Sequence, residues 1–426
     1  MNDTIFALSS GAPPAAIGIV RISGPAAAGA VEALAGQVPQ ARHASLRRLR
    51  DRNGDPLDQA LVLWFPGPAT ATGEDLAEFH LHGGRAVVAA VERTLAELPG
   101  LRWATPGEFT RRAFANGRID LAEAEGLADL LTAETELQRR HALALASGGL
   151  SSQISEWRDQ VLVLSAQVEA VLDFGDEDDV AHLPPSFSLD LARLATAIDA
   201  LVAGPRAESL REGFRVVLAG PPNSGKSSLF NCLVDADAAI TTPIPGTTRD
   251  VLTRPVALQG IPFLFVDTAG LRSDTQDAVE LIGIDRATQE LSRADLVLWL
   301  GPEGEGQGRC VWELDSFADL ASHKGKVRPR HRVSAETGAG IAELQSDLID
   351  LARTALPGPN QFALNQRQGT LLLEAAEALH QAGSQVDPLL IAELLRNARS
   401  AFDRLLGRAA TEDMLDALFG RFCIGK

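Results

Sequence analysis

The chain has little with which to staple itself or to cross a lipid bilayer. Only three of its 426 residues are cysteine, Cys232, Cys310 and Cys423, too few and too scattered for a disulfide framework or a zinc site. No apolar run approaches the ~20 residues that a membrane-spanning helix requires, and Met1-Asn2-Asp3-Thr4 lacks the basic start of a secretory signal. These absences predict a cytoplasmic protein. Positive charge is scarce as well: 39 Lys and Arg stand against 56 Asp and Glu, a net charge of −17. A nucleic-acid coat needs Lys and Arg to neutralise phosphates, so that class is excluded and any nucleic-acid contact must use a local basic face. What is present is ordinary globular composition, 45% apolar and 22% charged, with chain enough for roughly two to four domains.

The most informative stretch is Phe214 to Ser228. Phe214–Ala219 is short, apolar and bounded by turn residues, which predicts a buried strand. Gly220-Pro221-Pro222-Asn223-Ser224-Gly225-Lys226-Ser227 fits a phosphate-binding loop, and Ser228 to Leu233 reads as the helix behind it. Glycines let backbone N–H groups curl around phosphate oxygens, and the helix N-terminus favours negative charge. Lys226 is expected on the outer phosphates and Ser227 on Mg²⁺. Downstream, Thr241 to Asp250 reads as a mobile loop whose Thr248 completes the metal shell only when the γ-phosphate is present. Ile261–Val266 reads as a strand ending in Asp267-Thr268-Ala269-Gly270, where Asp267 holds the metal through water and the Gly270 amide senses the γ-phosphate. The three elements in this order specify a Ras-like GTPase domain.

Two expected pieces are missing. Leu271 follows Gly270 where a Ras-type enzyme has a water-orienting glutamine, and Glu280 on the next segment is the available substitute. There is also no Asn-Lys-x-Asp guanine motif. Ser316-Phe317-Ala318-Asp319 aligns best with it, keeping the Asp; Phe317 is placed to pack on the purine face, and Ser316 is a poor amide mimic. Asp319 is either the guanine-reading carboxylate or a helix-capping turn residue. Ser334-Ala335 matches the last base-contacting loop. With no arginine finger in cis, charge on the β–γ bridge must be offset otherwise. The Asn223 amide, with carbonyls of the Thr242–Thr247 loop, offers a monovalent-cation site; as a turn-former it needs no ligand.

Around this domain the patterning changes twice. Residues 1–119 mix strands (Ile17–Ile22, Leu61–Phe65, Ala77–His82) with helices (Pro25–Leu34, Val87–Leu98), an α/β or α+β domain. From Asp120 to residue 211 the spacing is helical, interrupted by the acidic run Asp173 to Asp179, a solvated turn rather than a metal site. Helical patterning returns in 356–426. The nucleotide domain, 212–355, is therefore predicted to be inserted into a discontinuous helical domain, giving a multi-domain α/β protein.

Gly-x-Pro-Asn-x-Gly-Lys-Ser, Gly-Thr-Thr-Arg-Asp, Asp-Thr-Ala-Gly-Leu-Arg and the terminal Phe422-Cys423-Ile424-Gly425-Lys426 together resemble the MnmE (TrmE) family of tRNA-modification GTPases. The N-terminal Arg-Ile-Ser-Gly, Thr-Gly-Glu-Asp, His-Gly-Gly and Pro-Gly-Glu-Phe-Thr motifs match too, so the likeness spans the chain. It implies a homodimer through N-terminal domains that bind 5-formyl- or methylene-tetrahydrofolate at Arg21, Glu78, Arg118 and Lys426. It implies a complex with the FAD- and NADH-using MnmG protein, together adding an aminomethyl-type group to carbon 5 of the tRNA wobble uridine. It implies potassium on Asn223, Thr242, Ile244 and Thr247, Mg²⁺ on Ser227 and Thr248, and Glu280 orienting water. The nucleotide-binding set is then Asn223, Ser224, Gly225, Lys226, Ser227, Ser228, Thr242, Thr247, Thr248, Asp267, Thr268, Ala269, Gly270, Asp319, Ser334 and Ala335.

Cys423 is either inert packing near a helix end or a functional thiol with Arg421 and Lys426 nearby; the resemblance favours the thiol. Arg47 to Arg52, Arg111-Arg112 and Lys324 to Arg330 are the basic clusters, each a solvated surface or a tRNA contact. The rivals to a tRNA-modifying GTPase are an Era/Der-like ribosome-assembly GTPase, for which a Lys-rich C-terminal RNA domain is missing, and a nucleotide-sensing scaffold that hydrolyses poorly.

Overall fold

A computed structural model describes residues 3–174, 182–235, 253–268, 288–320, 325–358, 361–409 and 411–425. Contacts divide the chain into two compact units: Met1–Ala128 with Ala146–Ile154 and Asp403–Lys426, and Asp129–Leu145 with Ser155–Phe402. This division cuts across the compositional segments. The end of the chain packs with its beginning, and residues 212–355 group with most of the helical residues around them.

In the first unit, β1 (Thr4–Leu8), β2 (Ile17–Ser23), β3 (Ser45–Arg50), β4 (Pro56–Phe65), β5 (Leu76–His82) and β6 (Leu101–Trp103) form one sheet in the order β3-β4-β5-β2-β1-β6. β1 and β6 run parallel and the other neighbours antiparallel. Strand side chains alternate between faces, so Val20, Ile22, Val62, Phe79 and Leu81 all reach one face. Helices Ala27–Ala35 and Arg85–Ala96 cover it with Val31, Leu34, Val88 and Val91. A one-residue slip would turn this whole set to solvent, at about 1.5–3 kcal/mol for each large apolar side chain exposed. The apolar face thereby fixes what stands on the other face, where Arg21 is the cross-strand partner of Glu78. Pro106, at the head of the Pro-Gly-Glu-Phe-Thr motif, leads into the helix Glu108–Ala115. Glu108 accepts the Thr105 N–H at 2.9 Å, a local carboxylate contact that supports the start of the helix.

In the second unit, β7 (Phe214–Ala219), β8 (Thr253–Leu258), β9 (Ile261–Asp267), β10 (Leu296–Trp299), β11 (Val311–Asp315) and β12 (His331–Arg332) form a sheet in the order β12-β11-β10-β7-β9-β8. Only β8 runs antiparallel to its neighbour. β7 is buried on both faces, which is why it reads as a continuous apolar run. Phe214, Val216 and Leu218 face Leu229, Leu233, Leu344 and Leu348, while Val217 and Ala219 join Val266 and Val297. Parallel neighbours usually need a helical crossover, yet residues 300–310, between β10 and β11, contain no helix. A glycine-rich loop lies on the sheet instead: a Cβ added to Gly306 would stand 2.7 Å from Val311 Cγ1, and one on Gly308 2.7 Å from Val297 Cγ2.

The segments leading into and out of this domain meet. Ala207 N–H donates to Leu364 O at 3.0 Å and Gln366 N–H to Glu208 Oε1 at 2.9 Å. Asn365 then caps the helix Gln366–Ser384 with a reciprocal pair, Gln368 N–H to Asn365 Oδ1 at 2.9 Å and Asn365 N–H to Gln368 Oε1 at 3.1 Å. That helix packs on Phe187–Val202. Among the described residues no helix is long and apolar enough to cross a membrane.

Candidate nucleotide site and N-terminal polar cluster

The phosphate loop sits at the carboxyl end of β7, in the middle of the sheet, where open α/β folds bind ligands. Its shape depends on three left-handed positions, Gly220 (φ 149°), Asn223 (φ 61°) and Gly225 (φ 86°), conformations that glycine and asparagine tolerate best. Lys226 is buried at the head of the helix Lys226–Asp235 and donates to Pro221 O at 2.6 Å. Ser227 Oγ donates to Asp267 Oδ2 at 2.7 Å, and Thr268 Oγ1 to Leu218 O at 2.8 Å. Ser227 and Asp267, from separate parts of the sequence, are thus brought together on the β9 side of the loop. A hydroxyl beside a carboxylate is the hard-oxygen set that suits Mg²⁺. Thr242, Ile244, Thr247, Thr248, Ala269, Gly270 and Glu280 lie outside the described residues, as does the acidic run from residue 175. Among the described residues no group of three or more His, Cys, Asp or Glu side chains is placed to hold a metal.

On the β11 side, Ser316 Oγ donates to Ser224 O at 2.8 Å and Phe317 lies against Gly225. Asp319 is exposed in the turn closed by Leu320 N–H to Phe317 O at 3.0 Å. Ser334 is buried; its N–H donates to Ala339 O at 3.0 Å and its Oγ accepts Thr337 N–H at 3.2 Å, with Ala335 half-buried beside it. A cleft of about 490 Å³ opens between Pro221–Ser224 and the residues 301–303 and 315–317, without Asp319, Ser334 or Ala335 in its wall. Sequence reasoning missed Asp315. Its buried carboxylate lies 3.7 Å from Arg332 Nε and so close to Gly325 that a Cβ there would stand 2.4 Å from Oδ2.

In the first unit Arg21 Nε and Nη2 both donate to Glu78 Oε1, at 3.0 and 2.8 Å. His80 Nε2 lies 3.2 Å from the other carboxylate oxygen, and the Arg21 guanidinium stands 5.8 Å over the Phe109 ring. Neither His80 nor Phe109 was picked out from sequence, although the i, i+2 spacing of Glu78 and His80 on a strand places both on one face. Arg118 is exposed and donates to Thr70 O at 3.1 Å rather than to this pair. The C-terminal tail docks on the same unit. Gly107 N–H reaches Cys423 O at 3.5 Å, and a Cβ on Gly425 would stand 2.1 Å from Leu8 O, so only glycine fits. Cys423 is exposed and Lys426 lies outside the described residues.

The strand order, the phosphate loop and the Ser227–Asp267 pair define a P-loop GTPase domain carried within a larger chain. The comparisons narrow this. Residues 4–118 match the GTP-binding protein TrmE N-terminus and residues 121–423 the MnmE helical domain. Over 424 residues the chain is 62% identical to the tRNA modification GTPase MnmE of Erythrobacter litoralis, covering 100% of both chains. It is 60% identical to that of Novosphingobium aromaticivorans, again over 100% of both, and 50% identical to that of Zymomonas mobilis over 99% of this chain and 100% of that one. The chain belongs to the MnmE family of tRNA-modification GTPases, and its enzymatic class is GTP hydrolase.

Proposed function

We propose that this GTPase is the nucleotide-driven component of a complex that modifies carbon 5 of the wobble uridine of certain tRNAs. Its partner is an FAD-dependent MnmG-type protein, and the setting is cytoplasmic. The observation that carries this reading is the docking of the Cys423–Gly425 tail on the sheet bearing Arg21 and Glu78. A thiol and a folate-type polar pair then belong to one unit, an arrangement that a timing switch for ribosome assembly does not need.

The one-carbon donor is 5-formyl- or methylene-tetrahydrofolate, bound by Arg21, Glu78, Arg118 and Lys426, in a homodimer formed through the N-terminal domains. Supporting that dimer, the face of the sheet with Arg21 and Glu78 also exposes Leu46 and Leu61, which are cross-strand neighbours, and Ile17. In hydrolysis, water attacks the γ-phosphorus, the bond to the β–γ bridging oxygen breaks, and GDP leaves with that oxygen. Lys226 turns from Pro221 O to the phosphates and offsets their charge. Ser227 and Thr248, with Asp267 through water, would hold Mg²⁺, which when bound neutralises phosphate charge. Asn223, Thr242, Ile244 and Thr247 would hold potassium, and Glu280 would orient the water.

The decisive experiment is nucleoside mass spectrometry of tRNA from cells lacking the chain. Wobble uridines should lose their carbon-5 group, and a Cys423→Ser copy should fail to restore it; intact nucleosides in the deletion end the reading. GTP turnover should also be faster in potassium than in sodium, and equal rates would remove the cation role of Asn223.

A further inference from the structure

The helix Ala207–Glu212 has only six residues, too few to hold itself together in water, and its last carbonyls need donors from elsewhere. Gln138 supplies them. Its Nε2 donates to Leu210 O at 3.0 Å and to Arg211 O at 3.4 Å, the two hydrogens of one amide serving successive carbonyls. The other end of that amide is spent on its own helix. Gln138 Oε1 accepts Thr135 N–H at 3.0 Å and Glu134 N–H at 2.9 Å, and Thr135 Oγ1 accepts Gln138 N–H at 3.3 Å, a capping box for Glu136–Ala146. Further along the same helix, His141 Nε2–H donates to Gly358 O at 3.1 Å. One helix thus holds both the segment that enters 212–355 and the one that leaves it.

Toward the sheet, the short helix has no slack. Gly213 (φ 84°) joins it directly to β7, and a Cβ there would stand 3.0 Å from Pro262 O in β9. β7 ends in the phosphate loop, so a shift of that strand must turn the helix. Toward Gln138 there is room. A cavity of about 270 Å³ is walled by His141, Ala142, Leu145, Ala207, Leu210 and Ala363. Protein interiors are otherwise close-packed, and a void here lets the helix turn without climbing over side chains. We propose that Gln138 is a slipping joint, a positioning residue whose Nε2 passes between Leu210 O and Arg211 O as β7 answers the bound nucleotide, with the cavity as the space in which the helix Ala207–Glu212 turns. The nucleotide state then reaches Glu136–Ala146 through a single side-chain amide. This rests on the GTPase assignment and not on folate or partner chemistry.

The test is hydrogen exchange of the full chain, read by mass spectrometry, with Mg²⁺ and either GDP or a non-hydrolysable GTP analogue. In the wild type, protection of 207–213 and of 136–146 should differ between the two nucleotides, although neither segment belongs to the nucleotide site. Gln138→Glu keeps the capping acceptors but has no hydrogen to give the carbonyls. Residues 207–213 should then exchange about tenfold faster with either nucleotide, the loss of one buried bond, and the difference should vanish from 136–146. Ala142→Leu fills the cavity and should slow both segments with either nucleotide, again without a difference. GTP turnover and protection of the phosphate loop by nucleotide should be unchanged in both variants, which separates a joint from a mere prop. A wild type without the difference, or a Gln138→Glu chain that keeps it or loses turnover, overturns the joint. A difference that survives in Ala142→Leu overturns the room to turn. If Gln138→Glu does not fold, the wild type and Ala142→Leu decide alone.

Discussion

Arg112 is wholly buried, and its guanidinium donates to Asp3 O at 2.9 Å, Asp3 Oδ1 at 3.0 Å, Glu74 Oε2 at 3.0 Å and Glu108 Oε1 at 3.1 Å. From sequence it stood beside Arg111 as part of a basic cluster open to tRNA. Instead Arg111 pairs with Glu412 and Asp416, and Arg112 is an internal clamp. The partners lie as far as residue 3 from residue 112, so no local pattern announces them. Removing one member of a buried charge network leaves the others uncompensated. Arg112→Met should therefore cost about 3–5 kcal/mol in urea unfolding, and Arg112→Lys, lacking the fork, should not rescue it. Glu108 gives a pH signature. Burial alone would raise its pKa, but hydrogen bonds from Arg102, the Thr105 N–H and Arg112 outweigh that and hold it at about 2 against an ordinary 4.5. A depressed carboxylate lends stability above its unfolded pKa and loses it as pH falls through the folded one. Melting temperature should thus drop between about pH 4.5 and 2 in the wild type, and Glu108→Gln should flatten that window.

At the scale of elements, contiguous signals were legible and distributed ones were not. The phosphate loop, its strand and its helix are neighbours in sequence, and Ser227 meets Asp267 because a parallel β7–β9 pair follows from the motif order. β3 was hidden: Ser45–Arg50 sets Leu46 and Leu49 three residues apart, which breaks the period of two that marks a strand, and its arginines drew the reading toward a charged patch. The left-handed Phe317 could not be read at all, since Ser224 and Val333 impose it from remote positions. Nor could the missing crossover between β10 and β11, where Gly306 and Gly308 admit a bare backbone onto the sheet. Gly306→Val should overpack that contact and destabilise the chain by about 1–3 kcal/mol in urea unfolding; an unchanged midpoint would mean that the loop has room to lift.

For the whole molecule, the change of period on either side of 212–355 predicts an inserted domain, but the company each part keeps is not legible in it. Sequence distance does not show that 403–426 packs with 1–128. The bond from Ala207 to Leu364 brings the segments that flank 212–355 to one place, the arrangement that a module folding on its own core would need. Replacing residues 213–357 by a short Gly-Ser loop should leave the remaining helices intact by circular dichroism and cooperative in their unfolding; a molten remainder would show that the insertion supplies part of their core.

That shared junction has a mechanical consequence. A body held by two strands hydrogen-bonded at one point cannot translate far without stretching both, but it can swing about them. Any nucleotide-driven stroke should accordingly be a pivot near Ala207 and Leu364, and its first casualty should be the bond from Leu137 N–H to Gly260 O, 3.1 Å long, that moors the β8–β9 hairpin to the helix Glu136–Ala146.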